Sequence, residues 1–173
     1  VRATIKQRCE MAATKASEHD TSVYWVNLND EAKLISELDK SAKEIKGQMD
    51  IDEKEEILLA FANGEIKKLI TKTSITAFGL NWQHCNHTTY FPDYSYEKYY
   101  QAIRRFWRFG QKNEVTVDQI ISDGQTRVMG ALEAKKDKAI EMFEQLIQHT
   151  NSDYKIVTKG FDKQIIKPSF LKN

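Results

Sequence analysis

The chain has only two cysteines in 173 residues, Cys9 and Cys85, far apart and in no Cys-x-x-Cys pair. That excludes a disulfide scaffold and points to a reducing compartment. The cluster His84-Cys85-Asn86-His87 has the right donor types for zinc. It has no second ligand pair at finger-like spacing, so it reads as a plain loop and no metal site is expected. No apolar run approaches the roughly 18 residues of a membrane span, so no membrane contact is expected. The opening, Val1-Arg2-Ala3-Thr4, carries neither a signal-peptide pattern nor an initiator Met, and the chain reads as a piece of an intracellular, cytoplasmic protein. One-sided charge is missing too. Lys and Arg total 26 against 25 for Asp and Glu, a net charge of +1, which excludes a global polycation. Any nucleic-acid contact must then come from a local groove. Repeats and low-complexity linkers are absent.

What is present is a hydrophobic content of 40% in a chain long enough to bury a real core. Residues 2–17 read as an amphipathic lead-in helix, broken by the polar stretch Glu18 to Ser22. Val23 to Leu28 is a β-rich apolar run, and Asn29-Asp30 can cap a helix reaching Asp39. A short strand over Ala42 to Lys46 ends at Gly47. A helix over Asp52 to Glu65 follows, opening with acids that suit its dipole and meeting Gly64 at its end. Lys68 to Thr71 and a segment through His87 to Phe91 read as strands, the second stopped by Pro92. Ser95 to Trp107 carries Tyr96, Tyr99, Tyr100, Ile103 and Phe106 on a helical stripe, and Glu114 to Ser122 alternates as a strand does. Strand and helix thus alternate repeatedly, the pattern of an α/β, doubly wound, mainly parallel sheet. In such folds ligands sit beyond the carboxyl ends of the strands. Thr126 to His149 forms one long charged helix, and Tyr154 to Asn173 is a basic tail. The boundaries expected are residues 1–122 for the sheet domain and 123–173 for an extension.

The densest chemistry lies in Gln101-Ala-Ile-Arg-Arg-Phe-Trp-Arg-Phe-Gly-Gln111. Arg105 and Arg108, three apart at a helix end, fall on one helical face. Two guanidinium forks can there meet one anion, and the guanidinium is suited to phosphate oxygens because it is planar and permanently charged. Phosphoryl transfer also needs a phosphate cradle and a metal-holding acid. No Gly-x-x-x-x-Gly-Lys-Ser/Thr and no Asp-Glu-x-His occurs anywhere in the chain. By itself the sequence therefore holds half of such a site.

Upstream, Lys68 to Asn81 is rich in Ser and Thr and ends in Gly79-Leu80-Asn81, and Val23-Tyr-Trp-Val-Asn-Leu-Asn29 is an apolar run leading to a helix. In this order the segments resemble motifs IV, V and VI of the second RecA-like domain of superfamily 2 helicases and translocases. The likeness spans about residues 20 to 122. Gly-Leu-Asn and the closing Arg-x-Gly-Gln resemble the Swi/Snf-like branch. Arg104 stands where that family usually has Gly or Asp.

The resemblance implies a motor domain whose first RecA-like partner, on the same polypeptide, supplies the P-loop and most of the contacts to ATP and Mg2+. Arg105 and Arg108 would be arginine fingers, with Gln101 orienting their helix or touching the nucleotide. Gly79 would let the backbone approach the nucleotide closely, and Asn81 would bond a ribose or relay to the opposite lobe. Thr71, Lys72, Thr73 and Ser74 would hold the phosphates of the tracking strand without reading sequence. The strand is expected to be DNA, with RNA as the alternative. The compact motif set suggests a bacterial or phage source, and the piece alone should hydrolyse no ATP. The residues themselves leave other readings open: a non-catalytic doubly wound module binding nucleic acid or a phosphorylated partner, or a generic α/β domain with a structural arginine cluster. Trp25, Trp107 and the tyrosine stripe read as packing; Trp82 reads as core or as a base-stacking platform.

Overall fold

The computed structural model describes residues 4–75, 81–93, 95–107, 110–122 and 126–153. Its elements run α1 (Ile5–Ser17), β1 (Ser22–Trp25), α2 (Asn29–Leu38), β2 (Ala42–Glu44), α3 (Ile51–Ala62), β3 (Lys68–Thr71), β4 (His87–Tyr90), α4 (Tyr96–Ile103), β5 (Thr116–Gln119) and α5 (Thr126–Asp153). The chain divides into two compact units, residues 1–130 and 131–173. Among the described residues no helix is long and apolar enough to cross a membrane.

All four strand pairings are parallel, in the order β2-β3-β1-β4-β5. The α/β, doubly wound sheet of the sequence analysis is thus what forms, of the RecA-like kind. Because side chains alternate across a strand, β1 feeds both layers. Val23 and Trp25 pack with Ile57, Leu58 and Phe61 of α3 and Ala102 of α4, whereas Tyr24 and Val26 pack with Cys9, Ala12 and Ala16 of α1 and Ile35 of α2. Topology explains which helix covers which face. The step from β1 to β2 runs one way along the sheet and carries α2; the steps from β2 to β3 and from β4 to β5 run the other way and carry α3 and α4. Keeping one crossover hand while reversing direction requires opposite faces.

Local signals set the element ends. Helix α3 stops in a Schellman arrangement: Gly64 has φ +78°, its N–H donates to Phe61 O at 3.0 Å, and Glu65 N–H donates to Ala60 O at 2.9 Å. Ser95 caps α4 through its hydroxyl, which accepts from Lys98 N. Asn29 does not cap α2. It is the first helical residue, and the Glu31 carboxylate reaches back to Asn27 N and Leu28 N, both at 3.0 Å. Helix α4 ends at Ile103, short of Trp107. Arg105 N–H donates to Ala102 O and Phe106 N–H to Ile103 O, the i-to-i+3 pattern of a chain tightening out of a helix.

Candidate functional site

Register aligns the carboxyl ends of four strands: Trp25 lies beside Thr71 and Tyr90, and Tyr90 beside Gln119. The connections leaving β1 and β4 diverge in opposite directions, which makes the gap between them the switch point of the sheet. This gap is tightly built. Asn27 Nδ2 donates to Phe91 O at 2.6 Å, joining the loop after β1 to the loop after β4. Glu31 holds the first loop by its backbone and takes Arg8 Nη2 of α1 on its other oxygen at 2.8 Å. Arg8 also lies over the Phe91 ring. Both charges of this pair are buried, at 3% and 1% exposure. The two loop amides donate to the second oxygen of Glu31, and such added hydrogen bonds help to offset the cost of burying a charged pair.

Lys72, just past β3, reaches across to Asn29 with Nζ to Oδ1 at 2.6 Å. Lys72 and Thr73 are half-buried, Ser74 is exposed, and Thr71 is buried with its hydroxyl turned to Lys72 O at 3.5 Å. Of these four predicted contacts, Thr71 is the buried one, and its carbonyl accepts from Val26 N at 3.0 Å.

The arginine segment lies elsewhere, on the α3–α4 face. Trp82 N–H donates to Arg105 O at 3.0 Å, and the half-buried Arg105 guanidinium sits 5.5 Å from the Trp82 ring centroid. Trp82 is itself buried against Trp25 (5.7 Å), Phe61 (5.3 Å) and Phe106 (5.7 Å). The core alternative for Trp82 is the one realised, and an aromatic seat holds Arg105 where helix geometry does not. Gln111 Nε2 donates to Cys85 O and Phe106 O at 3.3 and 3.2 Å, and Gln111 Oε1 accepts from Asn113 N at 3.1 Å. Gly110 has φ +102°, which an L side chain rarely adopts, and a Cβ there would stand 2.9 Å from Gln83 Nε2. Thr116 N–H donates to Asn86 O, so this segment enters β4 near the amino ends of β4 and β5. The Trp82 ring that seats Arg105 also packs on Trp25, the last residue of β1.

Gln101 is exposed on α4 and donates to Glu97 Oε1 at 3.1 Å; Asn81 is exposed; Arg104 is exposed over Tyr100 at 5.5 Å. Arg108 and Gly79, predicted as a finger and a nucleotide contact, lie outside the described residues, as does the basic tail. The composition signal for Gln111, Asn27 and Glu31 was weak, because each acts through partners distant in sequence.

The cluster at residues 84–87 is structural. His84 stacks edge-on to Phe61; Cys85 Sγ donates to His87 O; His87 is buried between Ser22 Oγ at 2.8 Å and Asp118 Oδ2 at 3.1 Å. Burial pushes the Cys9 and Cys85 thiols up to about 11, so neither is a thiolate at neutral pH.

With this geometry in place, relatives can be compared. Residues 4–110 match the helicase conserved C-terminal domain. The chain belongs to that family. No curated protein matches it. Among solved structures it is similar to the C-terminal part of the Fun30 ATPase domain, at TM-score 0.62 and 14% identity over 75% of this chain and 44% of that one. It is also similar to S. cerevisiae Dbp5 in complex with Gle1 and IP6, at TM-score 0.66 and 15% identity over 76% of this chain and 36% of that one. The isolated C-terminal domain of Dbp5 in such a complex aligns at TM-score 0.62 and 13% identity over 77% and 80%. The helicase C-terminal domain described here thus spans less than half the length of the first two. At these identities the likeness establishes the fold alone.

Proposed function

We propose that this helicase C-terminal domain is the second motor lobe of an ATP-dependent DNA translocase or helicase. In this reading residues 1–122 form the lobe and 123–173 an appendage. The observation that carries it is the seating of Arg105: a family-matching arginine whose carbonyl takes the Trp82 N–H and whose guanidinium rests on the Trp82 ring. Such a seat fixes a charge where it can meet phosphate oxygens presented by a facing lobe.

ATP fits the donor chemistry here, since guanidinium groups bind phosphate bidentately. Among the described residues there is no group of three His, Cys, Asp or Glu placed to hold a metal ion, so Mg2+ is assigned to the facing lobe with the P-loop. Bound there, ATP would supply a γ-phosphoryl group for transfer to water, with ADP as the leaving group. Arg105 and Arg108 supply positive charge to the oxygens that become more negative in the transition state, an effect of about a thousandfold or more in turnover. Gln101, Gly79 and Asn81 border that cleft in this reading. Lys72, Thr73 and Ser74 hold the phosphates of the nucleic acid, with Thr71 buried behind them.

The test uses the whole polypeptide. A P-loop and an acidic metal motif should lie in the reading frame before Val1. Arg105→Ala and Arg108→Ala should each abolish hydrolysis while nucleotide binding persists; wild-type turnover in either ends the assignment. Stimulation by duplex DNA above single strands and RNA is expected, and stimulation by RNA alone reassigns the track. Tight binding of nucleic acid or a phosphopeptide with no ATPase under any condition supports the non-catalytic module instead.

A further inference from the structure

The turn that carries Arg105 is held at both ends by the segment leading into β4. At its start, Arg105 O accepts from Trp82 N; at its end, the Gln111 carboxamide reaches Cys85 O and Phe106 O. The amide orientation follows from its partners. Both nitrogen contacts are carbonyl oxygens and the oxygen contact is the Asn113 N–H, so a flipped amide would lose all three bonds. Cys85 N–H closes a turn onto Trp82 O at 3.0 Å, so residues 82–85 form one compact bracket.

We infer that Gln111 is a positioning residue: its carboxamide staples the turn that carries Arg105 to the Trp82–Cys85 bracket, so that Arg105 keeps its seat on Trp82. The inference rests on the motor reading above and deepens it, by naming the side chain that keeps the hydrolytic charge in place. Gln111 touches neither nucleotide nor nucleic acid in this role; it acts through Arg105. The staple depends on donation. A carboxylate of the same shape keeps the bond from Asn113 N–H but turns an anion toward two carbonyl oxygens. Gly110, at φ +102°, sets the backbone so that the side chain of the next residue points back into the bracket.

The experiment is steady-state ATP hydrolysis by the full polypeptide, with and without duplex DNA, for wild type, Gln111→Glu, Arg105→Lys and the double variant. Gln111→Glu should lower DNA-stimulated kcat at least tenfold while the KM for ATP and the half-saturating DNA concentration stay within twofold. Arg105→Lys keeps a charge but loses the fork, leaving turnover that can be measured. Adding Gln111→Glu to it should lower kcat by less than a further twofold, because residues acting as a unit are not additive. Stimulated turnover within twofold of wild type in Gln111→Glu, or full additivity in the double variant, overturns the inference. If Gln111→Glu loses its thermal transition, Gln111→Met, which fills the space and donates nothing, takes its place with the same two outcomes. The two levels fail separately: inactive Arg105→Ala beside active Gln111→Glu removes only the staple, whereas active Arg105→Ala removes the motor reading itself.

Discussion

The two faces of this sheet are held by different physics. On the α3–α4 side the contacts are aromatic: Trp25, Phe61, Trp82 and Phe106 meet edge-on, tilted or offset, and the indole Nε1 of both tryptophans is buried without a hydrogen-bond acceptor among the described residues. On the α1–α2 side a cluster of smaller apolar side chains is joined by paired polar contacts. Arg8 meets Glu31, Tyr24 and Lys68 meet Asp39 at 2.7 and 3.3 Å, and His87, stacked on His19, bridges Ser22 and Asp118. Packing is non-directional and seats a whole turn, arginine included. Buried hydrogen bonds are directional and fix individual loops, here Asn27–Leu28 at the switch point. The functional segments follow that division, with the arginine turn on the aromatic face and the switch-point loops tied to the polar one.

Truncating the aromatic face should cost most. Trp82→Ala is expected to destabilise the domain by about 3–5 kcal/mol in chemical denaturation, the range for emptying a large aromatic site. Trp82→Phe keeps a ring against Trp25 and abandons no hydrogen-bond partner, so it should cost much less. Equal losses for the two variants would contradict the claim that ring packing, not the indole N–H, holds this face.

The polar face should fail by a different rule. Glu31→Ala strands a buried guanidinium and should cost about 3 kcal/mol or more. Replacing both partners, Arg8→Met with Glu31→Leu, should recover most of that loss. The Asn27–Leu28 amides would still lack their carboxylate, so recovery should be incomplete. A double variant no better than Glu31→Ala would show that the loop bonds, not the ion pair, carry the effect.

Titration separates the faces further. Burial holds the imidazole of His87 below its ordinary range against the opposing hydrogen bond and charge of Asp118, with the charge of His19 acting in the same sense as burial. His84 is lowered by burial and by Lys67. A histidine depressed in the folded state contributes stability that is complete above its unfolded value of about 6.5 and is lost as pH falls through it. Unfolding free energy should therefore decline between about pH 7 and pH 5. His87→Gln and His84→Asn should each flatten that slope, and an unchanged slope in both would place its origin elsewhere. At the bottom of the scale, Lys67→Ala breaks an exposed pair with Asp20 and should change stability by less than about 1 kcal/mol.

How much of this was legible beforehand follows from the range of each interaction. The strand at Lys68 to Thr71 was read at its full bounds, and the others to within a few residues, because apolar periodicity and Gly or Pro punctuation act over neighbouring residues. Helix α4 was read too long, since a tyrosine and phenylalanine stripe continues past Ile103 while the backbone does not. Asn29 was given a capping role that Glu31 fills, because a carboxylate reaching back over the loop from Asn27 competes with a local cap.

The sequence alone determined the order of strands and helices and the arginine-bearing segment, both being local patterns of side-chain type along the chain. Only the tertiary structure decided that Arg105 rests on Trp82, that Gln111 closes onto Cys85, and that Glu31 joins α1 to the switch-point loop. Those pairings span 23, 26 and 23 residues in the chain. Partners so far apart meet only when the sheet gathers helices and loops from distant parts of the chain onto one face, and no local pattern records which of many possible partners that packing selects.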